Sequence, residues 1–484
     1  DVSMDITAGL GTSDAQSSQL WGDLIGPGSA TMVTGANYDI NMNTHFQVVN
    51  NDARDLLASD VNAVTYYRSE VGSTVDLNLT YKTATASQVD INASYNSRAG
   101  ESITLSTTYI LEAGAQITLR DHDDPAKTFT VDVGGMTVDQ AAAALEDAIN
   151  NLDGGNYAGV NFSAVNAGGG QYRIDVTNNS GSTIDVIDSS GTAAAELGID
   201  TAAGGLGNGE SINGIVRDVG RQHVVNAGSQ DIVTIAGNIN TALTTYNTSV
   251  EAFDDGGDTR HLRISNGDSR HRVEIVNDGA ANSVETELGL NGYSGDAGIT
   301  WNSTNQVFHN HNFSVAVNDR TLVEIASDIQ NAINNEDNGT VSIDNVQVNT
   351  SAGTLRHLEL NNNNSMYNLA FSGVTATELG FAAAVSRGGS SSSSDVYHGR
   401  NISVAVENMQ TDQIVTRLNN ELQVALGGDG LPNPGAMPFI EHDNGDGTRT
   451  VQIDNSGGRS TCYQITVSNG NGQTASELGL QNHS

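Results

Sequence analysis

Apolar residues along this chain fall into two rhythms, and both recur. The first is alternation. Phe129-Val131-Val133, Phe313-Val315-Val317 and Ile402-Val404-Val406 place every second side chain on one face, which predicts half-buried strands. The second is helical. Ala141, Leu145, Ala148 and Ile149 follow Thr137, and Ile325, Ile329, Ala332 and Ile333 follow Thr321 at the same spacing. Steps of three and four put each set on one helix face. Thr137 with Gln140, and Thr321 with Glu324, read as capping boxes that satisfy orphan amides at the helix start. Asp231 with Ile235, Ile239, Ala242 and Leu243 gives a third helix, and Ile414, Leu418 and Leu422 a fourth.

Each helix is followed by further short strands, such as Val346-Val348, Leu355-Leu358-Leu360 and Tyr367-Leu369-Phe371, with glycine- and aspartate-rich turns between them. A tail then closes the unit. It reads Glu196-Leu197-Gly198-Ile199, Glu287-Leu288-Gly289-Leu290, Glu378-Leu379-Gly380-Phe381 and Glu477-Leu478-Gly479-Leu480, recurring about every 90 residues. Leu197, Leu288, Leu379 and Leu478 are expected to plug a core. Gly198, Gly289, Gly380 and Gly479 are expected to turn the chain at positive φ. The fold class that follows is α+β and β-rich: tandem small domains, each of about four antiparallel strands and one helix. The expected domains are 101–200, 201–292, 293–389 and 390–484. Residues 1–100 fit the repeat badly and read as a divergent β-rich N-terminal domain. It holds a hairpin-like pair, Val75-Leu77-Leu79 with Val89-Ile91-Ala93, and a helix near Ala53 to Tyr67. Arg387 to Asp395 reads as a flexible linker, and its five serines, Ser390–Ser394, as candidate acceptors of O-linked glycans.

Composition narrows the function. Twenty basic side chains stand against 57 acidic ones, for a net charge of −37. Such a chain is repelled by phosphate, so nucleic-acid binding is not expected. No apolar run is long enough for a membrane span, so no membrane insertion is expected. The single cysteine, Cys462, precludes an internal disulfide and reads as a structural thiol within a strand. His309 and His311 share a strand face, but no neighbouring residue completes a tetrahedral metal set, and they read as surface histidines. The acidic turns Asp121-His122-Asp123-Asp124, Asp254-Asp255 and Asp443 to Gly447 read as ordinary turns rather than calcium loops. No nucleophile elbow or phosphate loop occurs. No enzymatic activity, cofactor or metal is therefore expected. Trp21 and Trp301 are expected as core or interface anchors.

The repeat over residues 101–484 resembles the flagellin hook motif of bacterial flagellins, hook–filament junction proteins and filament cap proteins: a strand, a helix ending in an Ile-Asn pair, then further strands. The pairs here are Ile149-Asn150, Ile239-Asn240 and Ile333-Asn334, with Leu418-Asn419 in the fourth unit. The resemblance implies a structural component of an extracellular flagellar filament or hook–filament junction, forming its surface-exposed outer domains. Its partners would be copies of itself or related flagellar subunits in a helical assembly. The chain departs from that family in having no sustained heptad at either end. A repeat-containing adhesin, a filament sheath and a surface-layer protein are the alternatives.

Overall fold

The computed structural model describes residues 46–49 and 64–481, apart from 277–282, 337–342, 382–383, 428–437 and 454–462 and residues 297, 344 and 364. The expected helix near Ala53 lies largely outside these residues, as do Trp21 and Cys462. Where that helix would end, Val64–Tyr67 is a strand.

Four helices form where the apolar period places them: α1 (Val138–Asn151), α2 (Ile232–Leu243), α3 (Leu322–Asn335) and α4 (Thr411–Gly427). Their starts are capped as the sequence demands. The Gln140 carbonyl accepts from Thr137 N–H at 3.1 Å, and Glu324 from Thr321 N–H at 2.8 Å. Asp231 Oδ1 accepts from the Val233 and Thr234 amides at 2.8 and 2.9 Å. Each helix buries one stripe, Ala141, Leu145 and Ile149 in α1 and Ile325, Ile329 and Ile333 in α3. A hairpin packs against it: 160–168 with 171–178, 248–256 with 259–266, 345–350 with 355–361, and 439–443 with 449–453. The chain is thus β-rich α+β, built from several small antiparallel sheets.

From Thr74 on, the N-terminal strands pair with distant parts of the chain, while the first two pair with each other. The strands are β1 (Phe46–Val49), β2 (Val64–Tyr67), β3 (Thr74–Tyr81), β4 (Gln88–Tyr95), β5 (Ser102–Tyr109) and β6 (Gln116–Asp121). The expected hairpin between the Val75 and Val89 segments does not form. Strand β3 is the centre of the fourth unit's sheet, between 396–405 and 463–471. Strand β4 is the centre of the third, between 311–316 and 367–372. Strand β5 is the centre of the second, between 217–226 and 271–276, and β6 of the first, between 128–132 and 184–190. The chain therefore runs outward through units 4, 3, 2 and 1 as a spine, one strand per unit. It then returns through the bodies of units 1, 2, 3 and 4. The units are nested: unit 1 is inserted between the two strands that found unit 2, and so on outward.

The return is stitched to the same plan. Strand 217–226 begins against 171–172 of unit 1 and continues against β5 of unit 2. Strand 396–405 does the same between unit 3 and β3. The expected serine linker is part of this stitching. Ser390–Ser392 pairs with Glu359–Asn361, in the place that 210–213 and 300–302 take in units 1 and 2. The second unit, which has no alternating triplet like those of the other three, has a full ten-residue strand before its helix, Arg217–Asn226. Buried side chains form two cores, one for unit 1 and one continuous through units 2–4.

Candidate functional site

The spine repeats with a period of fourteen residues: β3, β4, β5 and β6 begin at Thr74, Gln88, Ser102 and Gln116. Tyr67, Tyr81, Tyr95 and Tyr109 end successive strands at that period. Tyr109, Tyr95 and Tyr81 are held where one unit meets the next and Tyr67 at the base of unit 4, and a tail glutamate meets three of the four. Tyr109 Oη donates to Glu196 Oε2 at 2.5 Å, Tyr95 to Glu287 at 3.1 Å and Tyr67 to Glu477 at 2.9 Å. At the third such place, Tyr81 stacks edge-to-face on Tyr463 with ring centroids 5.9 Å apart.

Arginines from the following unit complete two of these joints. Between units 1 and 2, Arg270 donates to Glu196 at 2.7 Å and to Glu112 at 2.9 Å. Arg217 donates to the Glu196 carbonyl at 2.7 Å, with its guanidinium 4.7 Å from the Tyr109 ring centre. Between units 2 and 3, Arg387 grips both oxygens of Glu287 and donates to Asn96 O at 2.9 Å. Arg387, expected in a flexible linker, is 4% exposed.

These contacts set the electrostatics. Burial alone would raise the Glu196 carboxyl. Hydrogen bonds from Thr192 and Tyr109 and the charges of Arg270 and Arg217 outweigh it and hold the carboxyl below its ordinary range. Burial, then the Glu287 charge, pushes the Tyr95 hydroxyl well above its usual value, so it stays a donor. A carboxyl depressed in the fold adds stability above its unfolded pKa and loses it as pH falls through the folded one. Amide protection around Tyr109 and Arg270, relative to the unfolded chain at the same pH, should therefore fall below about pH 4. Glu196→Gln should abolish that acid step. An unchanged acid profile in the variant would show that the joint does not depend on this charge.

A second fourteen-residue series clamps the spine to units 4, 3 and 2; its next position, in unit 1, is Leu111. Ser69, Thr83 and Ser97 are buried. Their hydroxyls donate to the carbonyls of Val406, Val317 and Ala227. They accept from the amides of Met409, Arg320 and Gln230 at 3.0, 2.8 and 3.0 Å. In each of these three units the clamp grips the turn just before the helix.

The Ile-Asn pairs fall at two different helix positions rather than one. Leu145, Ile239, Ile329 and Leu418 occupy one buried position, counted from Thr137, Asp231, Thr321 and Gln410. Ile149, Leu243, Ile333 and Leu422 occupy the next, one turn later. Ile239-Asn240 is therefore equivalent to Leu418-Asn419, not to Ile149-Asn150 or Ile333-Asn334. The polar residue after the first position holds the hairpin backbone. Asn240 bonds both the amide and the carbonyl of Val250, and Asn419 those of Phe439 at 3.1 and 2.8 Å. Glu146 accepts from Phe162 N–H at 2.6 Å, and Gln330 from Val346 N–H at 2.6 Å. Asn150 donates to Glu146 at 3.2 Å, and Asn334 accepts from Ile343 N–H at 3.1 Å.

In the tails, Leu197, Leu288 and Leu379 are buried, whereas Leu478 is half-buried and Leu480 fills the core. Gly198, Gly289, Gly380 and Gly479 have φ of 66°, 66°, 70° and 71°. A Cβ on Gly289 would lie 2.1 Å from Thr304 Oγ1, whereas one on Gly479 would meet open space. Gly479→Ala should cost roughly 1–2 kcal/mol, the left-handed penalty alone. Gly289→Ala should add roughly 1–3 kcal/mol of overpacking. Urea denaturation monitored at each unit would separate them, and equal losses would refute the packing account.

His311, expected at the surface, is largely covered. Its ring stacks on Phe308 at 4.1 Å between centroids, and Nε2 lies 3.1 Å from Glu336 Oε1. Trp301 packs against Tyr293, centroids 4.9 Å apart. Asp254 and Asp443 accept from Gly256 and Gly445 amides at 2.8 and 2.9 Å, within their own turns. Among the described residues no group of three or more His, Cys, Asp or Glu is placed to hold a metal ion. Nor is any helix among them long and apolar enough to cross a membrane.

The joint glutamates and the spine clamps are the residues that sequence reasoning missed. The signal for them is the fourteen-residue recurrence of tyrosine and of Ser69, Thr83 and Ser97, hidden because it lies outside the 90-residue repeat. Comparison with family models, curated proteins and solved structures finds no match to this chain.

Proposed function

We propose that this chain is a non-catalytic structural component of an extracellular surface assembly, carrying its four units as a projecting arm. The observation that carries this reading is the chain's course. The spine enters and the return leaves at one end, where Tyr67 Oη meets Glu477 Oε2 at 2.9 Å although 410 residues separate them. At the other end, unit 1 turns the chain back at residues 122–127, between β6 and 128–132. An excursion of this kind suits an outer region held by its base and presenting its tip. The assembly to which the repeat's resemblance points is a bacterial flagellar filament or its hook junction, with copies of this chain as neighbours. At a net charge of −37, contacts between copies need salt, cations or specific pairing. Electron microscopy of the native source with a label on Ala126, in the exposed turn of unit 1, tests the reading. The label is expected on the outside of an extracellular filament, farther from its axis than a label on Val71. Absence of this chain from every filament would refute it, and a label on a cell-surface lattice or at an adhesive tip would favour the alternatives.

A further inference from the structure

We infer that residues 69–121 have a function of their own, as a tension cord that carries load from the base of the arm to its tip without unfolding the units. The argument lies in how the spine crosses each joint. A β-turn interrupts it there, at 70–72, 84–86, 98–100 and 112–114, and a turn ordinarily reverses the chain. Here it does not. Pairing on the two sides of each turn follows the same antiparallel order along one partner. Asn408 N–H donates to Ser69 O before the first turn, and Val406 N–H to Ser73 O after it. At the third turn Ser229 and Ala227 donate to Arg98 O, which still belongs to the ladder, and to Glu101 O, and at the second Asp319 and Val317 donate to Ala84 O and Ser87 O. Gly135 and Val133 bracket the fourth, donating to Leu111 O and Ala115 O. Two residues at the second and third turns, and three at the first and fourth, are looped out of a strand that continues in its original direction. Gly72, Gly100 and Gly114, with φ of 79°, 81° and 77°, make three of these loops.

The spine is therefore one extended strand with small side loops. Eleven or twelve of every fourteen residues span the unit, which at strand geometry is about 36–40 Å. Each unit's body, by contrast, holds many times that length of folded chain. When base and tip are pulled apart, the two paths act in parallel, and the path with least slack takes the load. That path is the spine, already near its covalent limit of roughly 3.3–3.6 Å per residue. Its slack resides in the side loops, of which the Ser69, Thr83 and Ser97 clamps hold the first three closed. Opening one releases two or three residues, about 7–10 Å.

The inference deepens the reading of the chain as a projecting arm but is tested on the purified protein. A failed force measurement would leave the filament reading standing, and absence from filaments would leave the cord standing. Two variants of the full chain, each with Cys462→Ala, carry handles for single-molecule pulling. With Val71→Cys and Ala126→Cys the force runs from base to tip across three side loops. We expect a total gain of about 25 Å in steps of about 7–10 Å, with no unit unfolding. In this geometry Thr83→Ala should lower the force of one step and leave the others unchanged. With Val71→Cys and Gln481→Cys the force opens the base. There the antiparallel strands unzip one hydrogen bond at a time, and successive gains on the order of 300 Å are expected as whole units unravel. This second pull also establishes that the units are folded. A base-to-tip gain above about 60 Å, or loss of whole units in that geometry, would overturn the proposal.

Discussion

Leu145→Asp, in the core of unit 1, is expected to unfold unit 2 as well, whereas Leu418→Asp should unfold unit 4 and spare units 1–3. Both leucines are fully buried on the same helix position. Replacing either removes a core side chain, worth about 2–5 kcal/mol, and adds a carboxylate with no partner. The local damage is thus equal, and nesting makes the consequences unequal. Unit 2 forms when β5 meets strands 217–226 and 271–276. Between β5 and the first of these lies the whole of unit 1. While unit 1 is folded, its ends are held side by side and unit 2 closes at little entropic cost. When unit 1 is unfolded, closure must order a free loop of about 100 residues, at a cost of about 4 kcal/mol. That is a large share of the stability of a small domain. Unit 4 lies inside no other unit's loop, so its loss imposes no such cost. Hydrogen exchange of strands 271–276 and 463–471 in the two variants reads the asymmetry. Full protection of 271–276 in Leu145→Asp, or its loss in Leu418→Asp, would show that nesting does not couple the units.

Arg387→Met is the substitution expected to weaken the joint between units 2 and 3 most. The guanidinium is 4% exposed and Glu287 is 9% exposed, so both charges are withdrawn from water. Removing the arginine leaves Glu287 buried with the Tyr95 hydroxyl and, 3.7 Å away, Arg98 Nε. A buried ion pair broken on one side typically costs about 3–5 kcal/mol. The double variant Arg387→Met with Glu287→Gln should recover much of that loss, because no isolated charge remains. The corresponding change between units 1 and 2, Arg270→Met, should cost only about 1 kcal/mol. There the side chains of Arg270 and Glu196 are 24% and 20% exposed, and water compensates part of the loss. Equal destabilisation by the two arginine substitutions in urea melts would refute this ranking.

Much of each unit was legible in the sequence, because its determinants are local. The helices follow from a period of three to four and from caps three residues apart. The tail glycines follow from a turn that only a residue without Cβ adopts cheaply. The Ile-Asn pairs illustrate the limit of that reading. A helix repeats its buried face every turn, so an isoleucine followed by asparagine fits two positions equally well. Only contact with the hairpin shows that Asn240 and Asn419 share a role with Glu146 and Gln330.

The N-terminal strands went further astray for a related reason. Alternation in Val75-Leu77-Leu79 and Val89-Ile91-Ala93 specifies which face of a strand is buried, and nothing about which strand lies beside it. Proximity in sequence favoured a hairpin between them, yet their partners lie more than two hundred residues away. Arg387 and the serines beyond it looked like linker because their composition is polar. Their order comes from a carboxylate of another unit and from an open hairpin edge. The sequence by itself thus determined the helices, the turns, the buried faces and the four-fold repeat, since backbone sterics and side-chain periodicity act over a few residues. Tertiary structure alone decided the nesting, the spine and the joints, because strand pairing and ion pairing depend on which distant groups the fold brings together.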